Sequence, residues 1–367
     1  MPERQLVTGA TGFLGAALVL RLLEDTDARL VTLVRAGTVD PWTRLRTVLT
    51  RAAIDYGHPS HWIAPLLGRI ELVVGDLLQD PAPEVGAIDR VWHGAASLRY
   101  AERDREAIYA ANVVGTERAL AIAANAGARR FHYISTAYVA GNRSGMIFEQ
   151  PVGTDAVVNN VYEESKIAAE AAVLAADTFE TQILRPSIIV GHSVSLATSS
   201  AFGLYGFLDR LARFRRILER RDTDRPRRLS LLADPSVPAN LVPVDVVARQ
   251  AVRLALPRPS ATIVHLTNDR PPTVGEVIDS VFDAVNLPRP RYVSDRGELS
   301  RVDEHFDRSI EFYRSYITGH KHFRQDTANA AAGPLEFPFN TETLRRLCRV
   351  YLDQQFGASV PEGEEAS

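Results

Sequence analysis

Lysine is nearly missing from this sequence: of 42 basic residues only Lys166 and Lys321 are lysine, and the rest are arginine. That bias makes each lysine informative, because arginine serves wherever a generic cation suffices. Cysteine is scarcer still. Cys348 stands alone, which excludes a disulfide framework and a cysteine metal site. Long apolar runs are absent too: none approaches the roughly 18 residues of a membrane-spanning helix. No charged leader with an apolar core precedes the strand-like residues 5–7, so a cytoplasmic chain without a signal peptide is expected. Nor does one sign of charge dominate. A net charge of −3 argues against a dedicated nucleic-acid binder, which is normally strongly basic. No segment repeats.

What is present is ordinary globular material, 46% apolar and 24% charged, in 367 residues, enough to bury a sizeable core. Short apolar runs alternate with helical segments through the first half. Strands are predicted at 5–8, 29–34, 70–74, 90–93 and 131–135, then at 182–184 and 188–190. Helices are predicted at 12–23, where Leu14, Leu18 and Leu22 share a face, at 112–125 and at 162–176. This βαβ rhythm predicts an α/β fold, a Rossmann-like doubly wound parallel sheet. From about residue 193 the pattern changes. Residues 196–240 are helical in parts and strongly basic, while 244–256 and 262–266 read as one more helix and sheet strand. Residues 270–357 show no strand rhythm and read as mostly helical. The expected organisation is therefore a nucleotide-binding domain over 1–195 with 241–268 returning to it, a smaller, mostly helical substrate subdomain over 196–240 and 269–357, and a disordered acidic tail over 358–367.

Between the first strand and first helix lies Thr8-Gly9-Ala10-Thr11-Gly12-Phe13-Leu14-Gly15. Glycines there permit a tight turn, let backbone approach a pyrophosphate and let the helix pack on the strand. The free N–H groups and positive dipole end of the helix suit the phosphates. Gly9, Thr11, Gly12, Phe13, Leu14 and Gly15 are thus candidate cofactor contacts. An acid at the end of the second strand would hold the ribose of NAD, whereas an arginine accommodates the extra phosphate of NADP. This sequence has Leu33-Val34-Arg35 and no acid there, with Arg44 as a second candidate, so NADPH is the expected cofactor. After the third strand, Asp76 and Leu77 face the same crevice, Asp76 toward the adenine amino group. After the fourth, Ala95, Ala96 and Ser97 are small enough for backbone to lie against a ribose.

Tyr162 and Lys166 are four residues apart, one turn of a helix. A phenol of ordinary pKa, roughly 10, is a poor acid or base at neutral pH. An adjacent ammonium favours the phenolate and is expected to lower that value. Ser135 and Thr136 end the fifth strand, where a hydroxyl shares the substrate oxygen with Tyr162. Thr136 is preferred, with Ser135 in reserve. Asn112 is a candidate support beneath the site.

Together these residues resemble the extended short-chain dehydrogenase/reductase superfamily, and within it the thioester reductases, including fatty acyl-CoA reductases and reductase domains that act on carrier-bound acyl chains. The resemblance runs from the glycine turn through Leu33-Val34-Arg35, Gly75-Asp76, Ala95-Ala96-Ser97-Leu98, Asn112-Val113-Val114-Gly115-Thr116 and Ile134-Ser135-Thr136-Ala137-Tyr138-Val139. It continues in Tyr162 to Lys166 with Glu170, Leu184-Arg185-Pro186-Ser187 and Leu241-Val242-Pro243-Val244-Asp245, thus covering about residues 4–270 and thinning beyond them. It implies a catalytic trio of Thr136, Tyr162 and Lys166, with Arg185, Pro186 and Ser187 bordering the nicotinamide and Ile188 as a further candidate cofactor contact. It also implies hydride transfer from NADPH to an acyl thioester on coenzyme A or an acyl carrier protein, giving the aldehyde and, with a second hydride, the alcohol. Residues 210–228 hold nine arginines against three acids, a stretch suited to the phosphates of coenzyme A, to the acidic surface of a carrier protein, or to a solvated helix face. The alternatives on the same fold are a sugar-nucleotide epimerase or dehydratase, a hydroxysteroid-type dehydrogenase, and a non-catalytic NADP sensor. Cys348, His93, Trp42 and Trp62 are assigned to packing, and His320 and His322 lack the carboxylates of a metal site.

Overall fold

In the computed structural model, residues 2–219, 228–256 and 262–357 are described. The acidic tail and part of the basic stretch, 220–227, lie outside them. The chain divides into two compact units. The first comprises Met1–Ser195, Asn240–Pro271 and Gly319–Phe337. It is built on β1 (Arg4–Thr8), α1 (Phe13–Asp25), β2 (Arg29–Val34), α2 (Pro41–Asp55), β3 (Ile70–Val74) and β4 (Arg90–His93). Next come α3 (Arg105–Tyr109), α4 (Gly115–Asn125), β5 (Arg130–Ile134), β6 (Gly145–Ile147), α5 (Val161–Ala175), β7 (Glu180–Pro186) and β8 (Ile188–Val190).

Seven strands form one parallel sheet in the order Ile263–Leu266, β7, β5, β4, β1, β2, β3. Period-two alternation explains its two buried faces. Val7 and Leu30 point into a core with α1, α2 and the Val244–Ala255 helix. Leu6, Val31 and Phe131 point into another with α4 and α5. The chain leaves β1 toward β2 and β3, then crosses back to place β4 on β1's other side. The turns after β1 and β4 therefore meet at the topological switch point, where open α/β sheets hold their ligands.

The sequence reading closes this unit near residue 268, but Gly319–Phe337 also belongs to it. The reason is local: strand Lys321–Phe323 pairs with β6, Lys321 opposite Gly145. Three-residue strands are too short to show a period, so residues 270–357 read as helical.

The second unit comprises Leu196–Ala239, Pro272–Thr318 and Pro338–Ser367. Its helices include Leu204–Glu219, Val274–Ala284, Arg301–Ser309 and Thr341–Phe356, with one short parallel pair, Ser230–Leu232 on Arg291–Val293. Thr273 with Glu276, and Ser300 with Asp303, form capping boxes that start two of the helices. Phe207, Phe214, Phe306 and Tyr313 form an aromatic core. Three arginines of the described part of the basic stretch make contacts within this unit. Arg210 donates to the Tyr313 hydroxyl at 2.9 Å, Arg215 to the Val285 carbonyl at 2.6 Å, and Arg216 stacks on Phe356.

Candidate active site

The turn after β1 requires its glycines. Gly9 has φ +77°, and a Cβ there would lie 2.8 Å from the Ala95 nitrogen in the turn after β4. A Cβ on Gly15 would sit 2.0 Å from the Gly9 carbonyl oxygen, so α1 packs directly on the loop. Gly12 caps α1 without a side-chain acceptor, and no acid occupies the first turn. The leading N–H groups of α1 are left for an anion, and the geometry fits a pyrophosphate. Thr11, Phe13 and Leu14 are half-buried around this turn.

At the end of β2 the Arg35 side chain is 77% exposed, with its guanidinium 3.9 Å from Asp76 Oδ2. Arg44 folds back on the same loop. It donates to the Arg35 carbonyl and lies so close to Gly37 that a Cβ there would be 2.7 Å from Nη1. Its Nε is buried without a partner. Two guanidiniums thus border the end of β2. Asp76 already caps its own turn, accepting from the Leu78 N–H at 3.0 Å. Leu77 packs its side chain into the core against the α4 face.

After β4, Ala96 is exposed and Ala95 and Ser97 are half-buried. Ser97 and Asn112 clasp each other: the Ser97 N–H donates to Asn112 Oδ1 at 2.6 Å, and Asn112 Nδ2 returns to the Ser97 carbonyl at 3.1 Å. The second amide hydrogen of Asn112 goes to Ser165 Oγ at 2.9 Å. Asn112 is therefore buried scaffold joining the β4 turn to α5, with both hydrogens used. A π-helical turn, Ala110–Val114, carries it, closed by a bond from the Gly115 N–H to the Ala110 carbonyl.

Helix α5 starts at Asn160, whose side chain accepts from the Glu163 N–H, and it carries Tyr162 and Lys166 in its first two turns. Lys166 is 1% exposed. Its Nζ donates to the Ile134 carbonyl at 2.7 Å and sits 4.2 Å from the centroid of the Tyr133 ring. The amine is thus fixed at the end of β5, one residue before Ser135. Burial holds its pKa down to about 7, partly offset by Glu170. Tyr162 departs from expectation. Burial first, then the Glu163 carboxylate, push the phenol well above its usual value. Lys166 is turned to the β5 carbonyl, so Tyr162 stays protonated at neutral pH, the form a proton donor needs.

Thr136 Oγ1 accepts from the Tyr138 N–H at 3.2 Å, which leaves its hydrogen for another oxygen. Ser135 Oγ and Ser187 Oγ are both buried without partners at the ends of β5 and β7. Orphaned hydroxyls of this kind call for a ligand or water. Pro186 is buried and Ile188 half-buried beside Ser187. Arg185 lies inside the protein, forked onto Glu170 at 2.9 and 2.5 Å and donating to the Gln150 carbonyl at 3.0 Å. That pairing was not legible in the sequence. Its one signal was the presence of both residues in the resembling segments.

Residues 7–251 match the profile of the family described as Male sterility protein. A linear gramicidin synthase from Brevibacillus parabrevis is 31% identical over 188 residues, 47% of this chain and 4% of that protein. A 3-beta-hydroxysteroid dehydrogenase from Mycolicibacterium neoaurum is 30% identical over 201 residues, 52% of this chain and 48% of that one. The chain thus spans about half of the dehydrogenase and a small fraction of the synthase. Among solved structures, the terminal R domain from the myxalamid PKS-NRPS biosynthetic pathway has a TM-score of 0.73 at 26% identity, covering 98% of this chain and 93% of that one. A thiolation-reductase di-domain from an archaeal non-ribosomal peptide synthetase shares the fold, with a TM-score of 0.74 at 19% identity over 96% of this chain and 76% of that chain.

Proposed function

The chain belongs to the Male sterility protein family, and from that premise we propose that it is an NADPH-dependent reductase of acyl thioesters. It takes an acyl chain held on a carrier protein or coenzyme A to the aldehyde, and on to the alcohol where a second hydride follows. An oxidoreductase of the extended short-chain dehydrogenase/reductase type is what the family and the fold establish. The thioester is supported by the likeness to reductase domains of peptide and polyketide synthetases. The observation that carries the reading is the placement of a protonated Tyr162 one turn from Lys166, whose amine is bonded next to the Ser135 and Thr136 hydroxyls.

A reduced nicotinamide dinucleotide, when bound, supplies the hydride. The glycine turn and the head of α1 would hold the pyrophosphate, and Arg35 and Arg44 would meet the 2′-phosphate. As charge develops on the thioester oxygen, Tyr162 gives it a proton and Thr136 donates the hydrogen its own contacts leave free. Lys166 holds ribose hydroxyls and, as the ammonium, stabilises the phenolate left behind. The resulting hemithioacetal expels the thiol, leaving the aldehyde.

Dinucleotide oxidation followed with acyl-CoA and carrier-bound thioesters and the matching aldehydes, dinucleotide reduction followed with hydroxysteroids, and product analysis with sugar nucleotides test this. Thioester-dependent oxidation is expected, falling about a hundredfold or more in Tyr162→Phe. Arg35→Ala should raise the KM for NADPH about tenfold and leave that for NADH in place, since a charged hydrogen bond is lost only with the phosphorylated cofactor. Turnover of hydroxysteroids or sugar nucleotides with silence on every thioester would overturn the reading. The hydroxysteroid dehydrogenase relative makes the steroid the first rival to test.

A further inference from the structure

A continuous hydrogen-bond chain, buried through its middle and half-buried at its two ends, runs under the site from the turn after β4 to the carbonyl of Tyr162. The Ala95 N–H donates to Thr8 Oγ1 at 3.2 Å. Thr8 Oγ1 meets His93 Nδ1 at 2.8 Å, and His93 Nε2 meets Thr116 Oγ1 at 3.1 Å. Thr116 Oγ1 bonds the Asn112 carbonyl at 2.6 Å, Asn112 Nδ2 bonds Ser165 Oγ at 2.9 Å, and Ser165 Oγ bonds the Tyr162 carbonyl at 2.8 Å. None of Thr8, His93, Asn112, Thr116 and Ser165 is more than 1% exposed.

The direction of every link follows from counting hydrogens. The single hydrogen of Thr116 goes to the Asn112 carbonyl, so toward His93 its oxygen only accepts. His93 must then carry its proton on Nε2. The ring is neutral, because burial holds its pKa down to about 3, so Nδ1 is a bare acceptor and Thr8 must donate to it. Thr8 has its lone pairs left for the Ala95 N–H. At the other end the hydrogen of Ser165 is committed to the Tyr162 carbonyl, so Ser165 accepts from Asn112. No hydroxyl in the chain is free to rotate, and the histidine has one permitted tautomer.

We infer that His93, Thr116 and Ser165 are positioning residues that hold the dinucleotide turns and the Tyr162 turn in one register. This rests on the reductase reading above. A shift at either end must break a link among groups sealed from solvent, and an unpaired buried group is costly. The chain therefore transmits position between the β1 and β4 turns and the phenol, and it accounts for a buried histidine where packing alone would accept leucine.

Thr116→Val keeps the shape and removes the donor to Asn112 and the acceptor for His93, whereas Thr116→Ser keeps both. Ser165→Ala cuts the chain beside Tyr162 only. In variants shown folded by circular dichroism and melting above the assay temperature, Ser165→Ala should lower kcat about tenfold and leave the NADPH Kd within about twofold, because loss of alignment affects the reacting geometry alone. Thr116→Val should lower kcat similarly and also raise the NADPH Kd severalfold, and Thr116→Ser should restore both. A packing role alone would lower the melting temperature and move neither constant, and that result overturns the inference. The NADPH titration needs no substrate. If the wild type bound NADPH but reduced no thioester, the reductase reading would fall, while an unchanged Kd in Thr116→Val would separately sink the positioning role.

Discussion

The two units differ in how they hold their most buried acidic groups. In the first, the Arg185–Glu170 pair is sealed, with side chains 1% and 3% exposed. In the second, Asp283 is gripped from outside by Arg289 and Arg345, whose side chains are 49% and 34% exposed. Asp307 is buried between the exposed Arg296 and the half-exposed Arg314. A doubly wound sheet offers flat, apolar faces and admits few polar groups, each of which must be fully partnered. In the second unit, arginines at the surface tie neighbouring segments to Asp283 and Asp307. Polar groups inside the first unit therefore specify geometry, while those on the second mostly fasten.

The contrast is sharpest at Glu170. Glu170→Ala leaves the Arg185 guanidinium buried without its fork, and should destabilise the protein by about 3–5 kcal/mol in a denaturant titration. A loss below about 1 kcal/mol would break the distinction. The effect of Lys166 depends on pH. Its folded pKa lies near 7, below the ordinary lysine value of roughly 10.4, so as pH falls the unfolded chain takes up the proton first. Stability should be highest above the ordinary lysine range, fall as pH drops toward 7 and level off below, an effect on the order of a few kcal/mol. Denaturation midpoints at pH 7 and 9.5 should converge in Lys166→Met; an undiminished gap would mean the amine is not desolvated. The smallest effect belongs to the second unit. Arg296→Ala removes one of two arginines from Asp307, with the other still in place, and should leave the denaturation midpoint nearly unchanged, because the Arg296 guanidinium is exposed and screened by water. A loss as large as that for Glu170→Ala would erase the comparison.

The parts of the fold legible in advance were those with a period or a fixed spacing. The seven strands of the main sheet were placed from their apolar runs, and Gly9, Gly12 and Gly15 located the turn on the correct side of β1. Strands Ser230–Leu232, Arg291–Val293 and Lys321–Phe323 were not legible, since three residues show no alternation. Lys321 was marked by rarity alone; in the structure it is a buried residue of the strand paired with β6. His93 was assigned to packing because nothing in its neighbourhood announces a partner. Its two partners stand 85 and 23 residues away in sequence.

The sequence by itself determined the fold class, the nucleotide turn and the one-turn spacing of Tyr162 and Lys166. All of these are local patterns, set by backbone freedom at glycine, by side-chain period and by the pitch of one helix. Only the tertiary structure decided where the hydrogens go. It turned Lys166 to the Ile134 carbonyl, kept the phenol protonated, sealed Arg185 on Glu170 and committed both nitrogens of His93. Those outcomes depend on desolvation and on partners from distant strands, and neither quantity exists until the sheet has closed around them.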